Sequence, residues 1–248
     1  MENSRQIVIA ANWKMNKTVE ETVDFIREFQ VMVEKRDLEI VIFPPIIALA
    51  MAQMIVPYYD LKTGAQNIYW EDQGAFTGEI SASMVADAGC SYCLTGHSER
   101  RRHFGETDEM VCRKNLSAFS RGLRVIMCVG ETAEERQAGQ TLEILASQLR
   151  GGLQGIEPNR ELLIAYEPVW AIGTGNTATP KDAEAACAYI RQVIDLLWPG
   201  LAKEISILYG GSVKPDNMGQ LMACPNIDGA LVGGASLDPQ SFADIVNY

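Results

Sequence analysis

The sequence predicts a closed (β/α)8 barrel forming one domain over residues 1–248. Three observations support this. Short apolar or β-branched runs, too brief for helices, alternate eight times with helix-patterned stretches, at a spacing of roughly thirty residues. No linker, low-complexity segment or change of composition interrupts that rhythm. The chemically informative polar residues follow strands instead of preceding them, and a barrel opens all its strand C-termini on one face.

Residues 6–11 are a β-branched run and the first strand, and the polar loop Asn12-Trp13-Lys14-Met15-Asn16 follows it. Thr18 and Glu21 form a capping box ahead of a helix whose apolar face is Val19, Val23, Ile26, Phe29 and Val33. Residues 38–43 are a second strand, stopped by Pro44-Pro45, because proline has no N–H for a ladder. A helix over 46–54 and a weaker strand over 61–65 come next. Residues 66–79 make a long connection with Phe76 near its tip, of a length that commonly serves function or a partner. A short helix over 83–88 precedes strand four, 92–95, which runs into the polar turn Gly96-His97-Ser98-Glu99-Arg100-Arg101. Thr107 caps a helix to about Phe119, and strand five spans 123–129. A second capping box, Thr132 to Glu135, and a helix near 142–153 lead to strand six, 162–166. Thr179-Pro180 opens a helix to Leu197, with a hydroxyl at the N-cap and proline at the first helical position. Strand seven (205–209), a helix (215–222), strand eight (229–232) and a last helix (239–246) complete the pattern.

Composition narrows the function classes. Apolar residues make up 47% of the chain, enough for a sizeable core. A net charge of -11 speaks against nucleic-acid and membrane-surface partners, which require basic patches. The N-terminal residues lack a signal-peptide pattern and no apolar run reaches bilayer length, so a soluble, cytoplasmic protein is expected. Six cysteines in a chain of this length do not make a disulfide framework. Cys90 and Cys93 have metal-like spacing but no second pair beside them, so no metal site is expected.

The stretch from Ile164 to Pro180 is the most specific. Strand six delivers the carboxylate of Glu167 at its end, Pro168 stops regular pairing, and an apolar loop with Gly173 and Gly175 follows. A carboxylate at a strand end beneath a glycine-bearing loop is the layout of a general base under a lid. Asn12 and Lys14 after strand one, and His97 and Glu99 after strand four, converge on the same face in a barrel. Taken singly, Asn12 reads as a turn former, Lys14 as a surface lysine and His97 as a structural histidine. Glycine pairs after strands seven and eight, Gly210-Gly211 and Gly233-Gly234, let backbone N–H groups approach an anion, and phosphate at this place recurs in barrels.

Asn12-Trp13-Lys14-Met15-Asn16, Gly96-His97-Ser98-Glu99-Arg100-Arg101, the stretch from Ala165 to Gly175, Tyr209-Gly210-Gly211-Ser212-Val213 and the run from Leu231 to Leu237 resemble the triosephosphate isomerase family, over essentially the whole chain. The resemblance implies a TIM barrel that interconverts dihydroxyacetone phosphate and D-glyceraldehyde 3-phosphate, in glycolysis and gluconeogenesis, without metal or organic cofactor. It implies Glu167 as the base, His97 as a neutral imidazole that polarises the carbonyl, Lys14 and Asn12 as substrate-binding groups that offset negative charge, and Glu99 as a supporting carboxylate. Gly173, Ser212, Gly233 and Gly234 would cradle the phosphate. Pro168, Val169, Trp170, Ala171, Ile172, Gly173, Thr174, Gly175, Asn176, Thr177 and Ala178 would form the lid. Phe76, Thr77 and Gly78 would insert into the second subunit of a homodimer.

Two positions depart from the family pattern: Asn176, where many relatives carry Lys, and Ala82, where many carry Pro. The first bears on loop kinetics and the second on a helix start. His103 receives no role. A catalytically silent barrel that binds phosphate or assembles with a partner is the alternative of another class. An aldolase would require a Schiff-base lysine or a metal cluster, and strands two to eight end without a lysine.

Overall fold

A computed structural model describes residues 5–34, 37–171 and 178–248. Among these, eight parallel strands close into a barrel in sequence order: β1 (Val8–Asn12), β2 (Glu39–Phe43), β3 (Lys62–Ala65), β4 (Tyr92–Thr95), β5 (Arg124–Val129), β6 (Leu162–Tyr166), β7 (Ile207–Tyr209) and β8 (Gly229–Val232). The ring is sealed where β8 returns to β1, with Ala10 beside Leu231. The described helices around it are α1 (Val19–Gln30), α2 (Ile46–Ile55), α3 (Ala82–Asp87), α4 (Ser98–Phe104), α5 (Asp108–Ser120), α6 (Ala133–Gln137), α7 (Thr141–Gly152), α8 (Pro180–Leu197), α9 (Pro215–Met222) and α10 (Pro239–Val246).

Side chains alternate across each strand, so the barrel has two cores. Val8, Ala10, Val41, Phe43, Tyr92, Leu94, Ile126, Cys128, Leu163, Ala165, Leu208 and Leu231 fill the interior. The intervening residues, such as Ile9, Ala11, Val125, Met127, Ile164 and Tyr166, pack outward against the helices. This is why the strands read as continuous apolar runs: both faces are covered.

Helix α1 ends at Gln30, short of Val33, which packs against the core from beyond the helix. Its buried face is Thr22, Phe25, Ile26 and Phe29, while Val19 and Val23 flank it half-buried. Phe25 sits centrally because it meets Trp13 edge-on at 4.8 Å and stacks on Phe29 at 5.6 Å. The helix over Ala82–Asp87 starts without proline, since the Ser81 hydroxyl accepts the Met84 N–H as its cap. Additional to the sequence expectation are α4, in a stretch that reads as a turn, and short 3-10 turns over Val56–Tyr58, Val169–Ala171 and Gly234–Leu237.

Candidate active site

Continuing the alternation one step past each strand end explains the mouth of the barrel. Two residues beyond inward-facing Ala10 and Ala165 come Asn12 and Glu167; two beyond Leu94, Cys128, Leu208 and Leu231 come Gly96, Gly130, Gly210 and Gly233. Glycine thus occupies four of these six inward positions and leaves an open hollow. Asn12 and Glu167 project side chains toward it, and both are buried, at 5% and 2% exposure.

His97 reaches the same hollow by a different route. Gly96 adopts φ +67, a conformation that favours glycine, and this turns the chain at the end of β4. Glu106 accepts the Gly96 N–H at 2.8 Å and is itself held by Lys114 and Arg100, each at 2.7 Å, so the turn is anchored by a buried ionic cluster. His97 then serves as the N-cap of α4, its Nδ1 accepting the Glu99 N–H at 3.2 Å. With Nδ1 an acceptor, the ring proton belongs to Nε2, which lies 2.9 Å from Glu167 Oε1.

Glu167 is held from two sides. Its Oε1 faces the His97 imidazole and its Oε2 accepts the Ser98 N–H at 2.8 Å, in the first turn of α4. Burial pushes its pKa up, but His97, the Ser98 amide and the Lys14 ammonium together hold it below the ordinary carboxylate value. For His97 burial works downward, while Glu167 and then Glu99 work upward and prevail. That upward push belongs to the contact with Glu167. Full protonation would cost the Nδ1 bond to the helix amide, so the arrangement presents neutral imidazole with Nε2–H as donor.

Asn12 combines two duties. Its Oδ1 accepts the Lys14 N–H at 3.0 Å, an Asx turn that supports Lys14 at the unusual φ of +53. Gln66 donates to the Lys14 carbonyl at 2.9 Å from the other side. Lys14 Nζ then pairs with Glu99 Oε1 at 2.6 Å, and Glu99 Oε2 lies 3.7 Å from His97 Nδ1. Opposite these groups, a cavity of about 300 Å³ runs from Asn12, Lys14, His97 and Glu167 to Ser212, Gly233 and Gly234. A cation, an amide, an imidazole and a carboxylate share one end, and a serine with two glycines marks the other. That asymmetry suits a small anionic ester with a reactive carbonyl.

The family model described as triosephosphate isomerase matches residues 7–248. The chain is 51% identical over 246 residues to the triosephosphate isomerase of Moorella thermoacetica, covering 98% of this chain and 99% of that protein. It is 50% identical over 247 residues to the triosephosphate isomerase of Alkaliphilus metalliredigens and over 248 residues to that of Geobacter metallireducens, with 98% of this chain covered in each case and 100% and 99% of the relatives. The chain belongs to the triosephosphate isomerase family.

Nothing at the mouth of this enzyme favours the silent-barrel alternative. Of the expected lid, Pro168–Ala171 and Ala178 are described; residues 172–177, and with them Ile172, Gly173, Thr174, Gly175, Asn176 and Thr177, lie outside the described residues. Three groups near the mouth went unread in the sequence. Lys214 lines the cavity beside Ser212. Glu131, fully buried, accepts the Trp170 indole N–H at 2.9 Å and the Tyr166 hydroxyl at 3.2 Å, while its backbone carbonyl accepts the Val169 N–H at 3.1 Å. The Arg136 guanidinium lies 4.2 Å over the Trp170 ring. Glu131 therefore anchors the turn over Val169–Ala171, and its place after the Gly130 of the fifth strand–helix turn was the one available signal.

The ligand-free enzyme is expected to titrate Glu167 below the ordinary glutamate range, and His97→Gln to move its titration upward by removing the neighbouring imidazole. Carboxyl-carbon NMR over an acid titration reads both; a native Glu167 titrating above the ordinary glutamate range would contradict the geometry. The sign for stability follows: a depressed folded-state pKa stabilises the fold above the unfolded value, and this contribution fades as pH falls through the folded one.

Proposed function

We propose that this mouth interconverts dihydroxyacetone phosphate and D-glyceraldehyde 3-phosphate, the step shared by glycolysis and gluconeogenesis, with Glu167 as the base. The observation that carries the proposal is the buried Glu167 carboxylate 2.9 Å from His97 Nε2, at the edge of a cavity that also holds Lys14 and Asn12. Glu167 takes a proton from the carbon beside the carbonyl. The electron pair left behind forms the carbon–carbon double bond of an enediolate, and the carbonyl oxygen takes the negative charge. The His97 Nε2–H and the Lys14 ammonium face that oxygen. One preorganised donor in a dry site contributes roughly 3–4 kcal/mol, so the pair stabilises the intermediate far beyond the ground state. His97 Nε2–H gives its proton to the enediolate oxygen and takes one back from the neighbouring hydroxyl, Glu167 returns its own proton to the adjacent carbon, and the carbonyl re-forms at the other carbon; Glu99 steadies Lys14 throughout.

The same contacts that depress the Glu167 pKa make it a poor base where it rests. To act, its carboxylate leaves the Ser98 amide and the His97 ring and moves over the substrate. Closure of the lid, residues 168–178, expels water and raises its basicity there. Phosphate bound by Ser212, Gly233, Gly234 and Gly173 takes no part in bond breaking, so its binding energy is free to drive that closure.

Assembly as a homodimer is part of the proposal. Residues 71–79 are all exposed, Phe76 among them, with its ring 4.5 Å from Tyr69. A separate cavity of about 420 Å³ adjoins Asn12 and Lys14 and is lined by Met15, Ile46, Ile80 and Phe104. Met15 is 96% exposed. An apolar loop tip and an apolar cleft on one chain are self-complementary, as two-fold pairing requires. Phe76, Thr77 and Gly78 of each copy would fill the cleft of the other and shield Lys14. A cytoplasmic location accords with six free thiols, five of them buried. A single domain over residues 1–248 accords with the sealing pair of β1 and β8.

Turnover of glyceraldehyde 3-phosphate in a coupled assay, inhibited by a phosphate-bearing enediolate mimic, tests the activity. Glu167→Asp withdraws the base by one methylene and is expected to lower kcat about a hundredfold while KM stays close to native; comparable change in both constants would remove Glu167 from the transition state. Phe76→Asp is expected to weaken dimerisation and activity together, as sedimentation with parallel assays would show. A fully active monomer would reject the interface.

A further inference from the structure

Glu167 lines two hollows. In front is the cavity of about 300 Å³ with Lys14 and His97; behind is another of about 370 Å³, bordered by Ser98, Gly130, Gln148 and Val169. His97 and the Ser98 amide hold the carboxylate at its tip, and the backbone that carries it sets where the side chain starts. That backbone is tied to the end of β5: the Glu167 N–H donates to the Val129 carbonyl at 2.8 Å, and the Val169 N–H to the Glu131 carbonyl at 3.1 Å. Between those two carbonyls lies Gly130. A methyl group on Gly130 would fall 1.7 Å from the Glu167 carbonyl oxygen, so the two backbones are in direct contact and a shift of one moves the other.

Gly130 itself is gripped by one side chain. Gln148, on α7, accepts the Gly130 N–H through Oε1 at 2.8 Å and donates through Nε2 to the Gly130 carbonyl at 3.1 Å. The amide side chain thus pairs with the peptide as a neighbouring strand would, just where the ladder of β5 ends. We propose that Gln148 is a positioning residue for the reaction: through the Gly130 peptide it sets the height and orientation of the Glu167 backbone and of the lid hinge at Pro168-Val169. It touches no substrate. It is suited to the task because α7 is packed on the barrel wall, with Leu145, Ala146 and Leu149 buried, so the clamp is mounted on an immobile element.

The role presupposes Glu167 as the base, so Glu167→Asp is measured alongside. Gln148→Met keeps the side-chain length and removes both bonds; Gln148→Glu keeps the acceptor for the Gly130 N–H but sets a carboxylate against the Gly130 carbonyl. With sites counted by titration with the enediolate mimic, both variants are expected to lose about tenfold or more in kcat per site, with KM within about twofold of native, because the phosphate cradle lies across the mouth. A variant with fewer competent sites but native kcat per site would reduce Gln148 to a structural role and overturn the proposal, as would a rise in KM alone. Should Gln148→Met fail to fold, the same split in Gln148→Glu decides. If Glu167→Asp is as active as native, the assignment of the base fails; if it is crippled while the Gln148 variants match native kcat, only the clamp fails.

Discussion

Alternation of side chains along parallel strands is the constraint on which the site depends. Once the eight strands close in register, every second residue must face the barrel axis, and the residues just past the strand ends inherit that direction. On β1, β4, β5, β6, β7 and β8 the inherited positions hold Asn12, Gly96, Gly130, Glu167, Gly210 and Gly233. Four glycines empty the layer above the core, and the two remaining side chains are an amide and a carboxylate. A shift of one residue in β6 would place Tyr166 in the mouth and send Glu167 toward the helices. Registers such as Ile164 beside Ile207 and Met127 beside Ile164 are thus as important to the chemistry as to the core.

Electrostatics within the hollow has two settings. In the arrangement observed, Glu167 is satisfied by an imidazole and a helix amide, Lys14 by Glu99, and His97 by the start of α4. Each group is buried or half-buried with a partner, which is how a cluster of ionisable residues survives removal from water. In the proposed reaction substrate exchanges those partners. Lys14 and His97 gain an oxygen on which charge develops, and Glu167 loses the contacts that lower its pKa. Displacement of the carboxylate would therefore raise its basicity and remove the largest upward push on His97, so one movement would prepare both the proposed base and the proposed neutral electrophile.

The barrel and much of the mouth were legible because their signals are local. Pro168 after Glu167, the Thr179-Pro180 helix start and the glycine pairs each state their geometry within a few residues. Helix α4 was not legible as a helix, because its N-cap is His97 instead of the usual small hydroxyl or carboxamide residue. In retrospect Gly105, in a left-handed conformation at its C-terminus, and the basic last turn Arg101-Arg102-His103 marked it. Phe25 was passed over on α1 because its value lies in long-range ring contacts with Trp13 and Phe242. Gln148 and Lys214 carry no local pattern at all, and Glu131 only its place after Gly130. Gln148 acts on a glycine eighteen positions earlier, and only the closed barrel brings the two together.

The central claim is that Glu167 rests on His97 and the Ser98 amide and must leave them to work. A crystal structure with a phosphate-bearing enediolate mimic tests this most directly. The account predicts that the carboxylate abandons the Ser98 N–H and sits over the mimic's adjacent carbons, with His97 Nε2 donating to the mimic's oxygen and the phosphate against Ser212, Gly233 and Gly234. A fully occupied mimic with Glu167 still bound to Ser98 would contradict it.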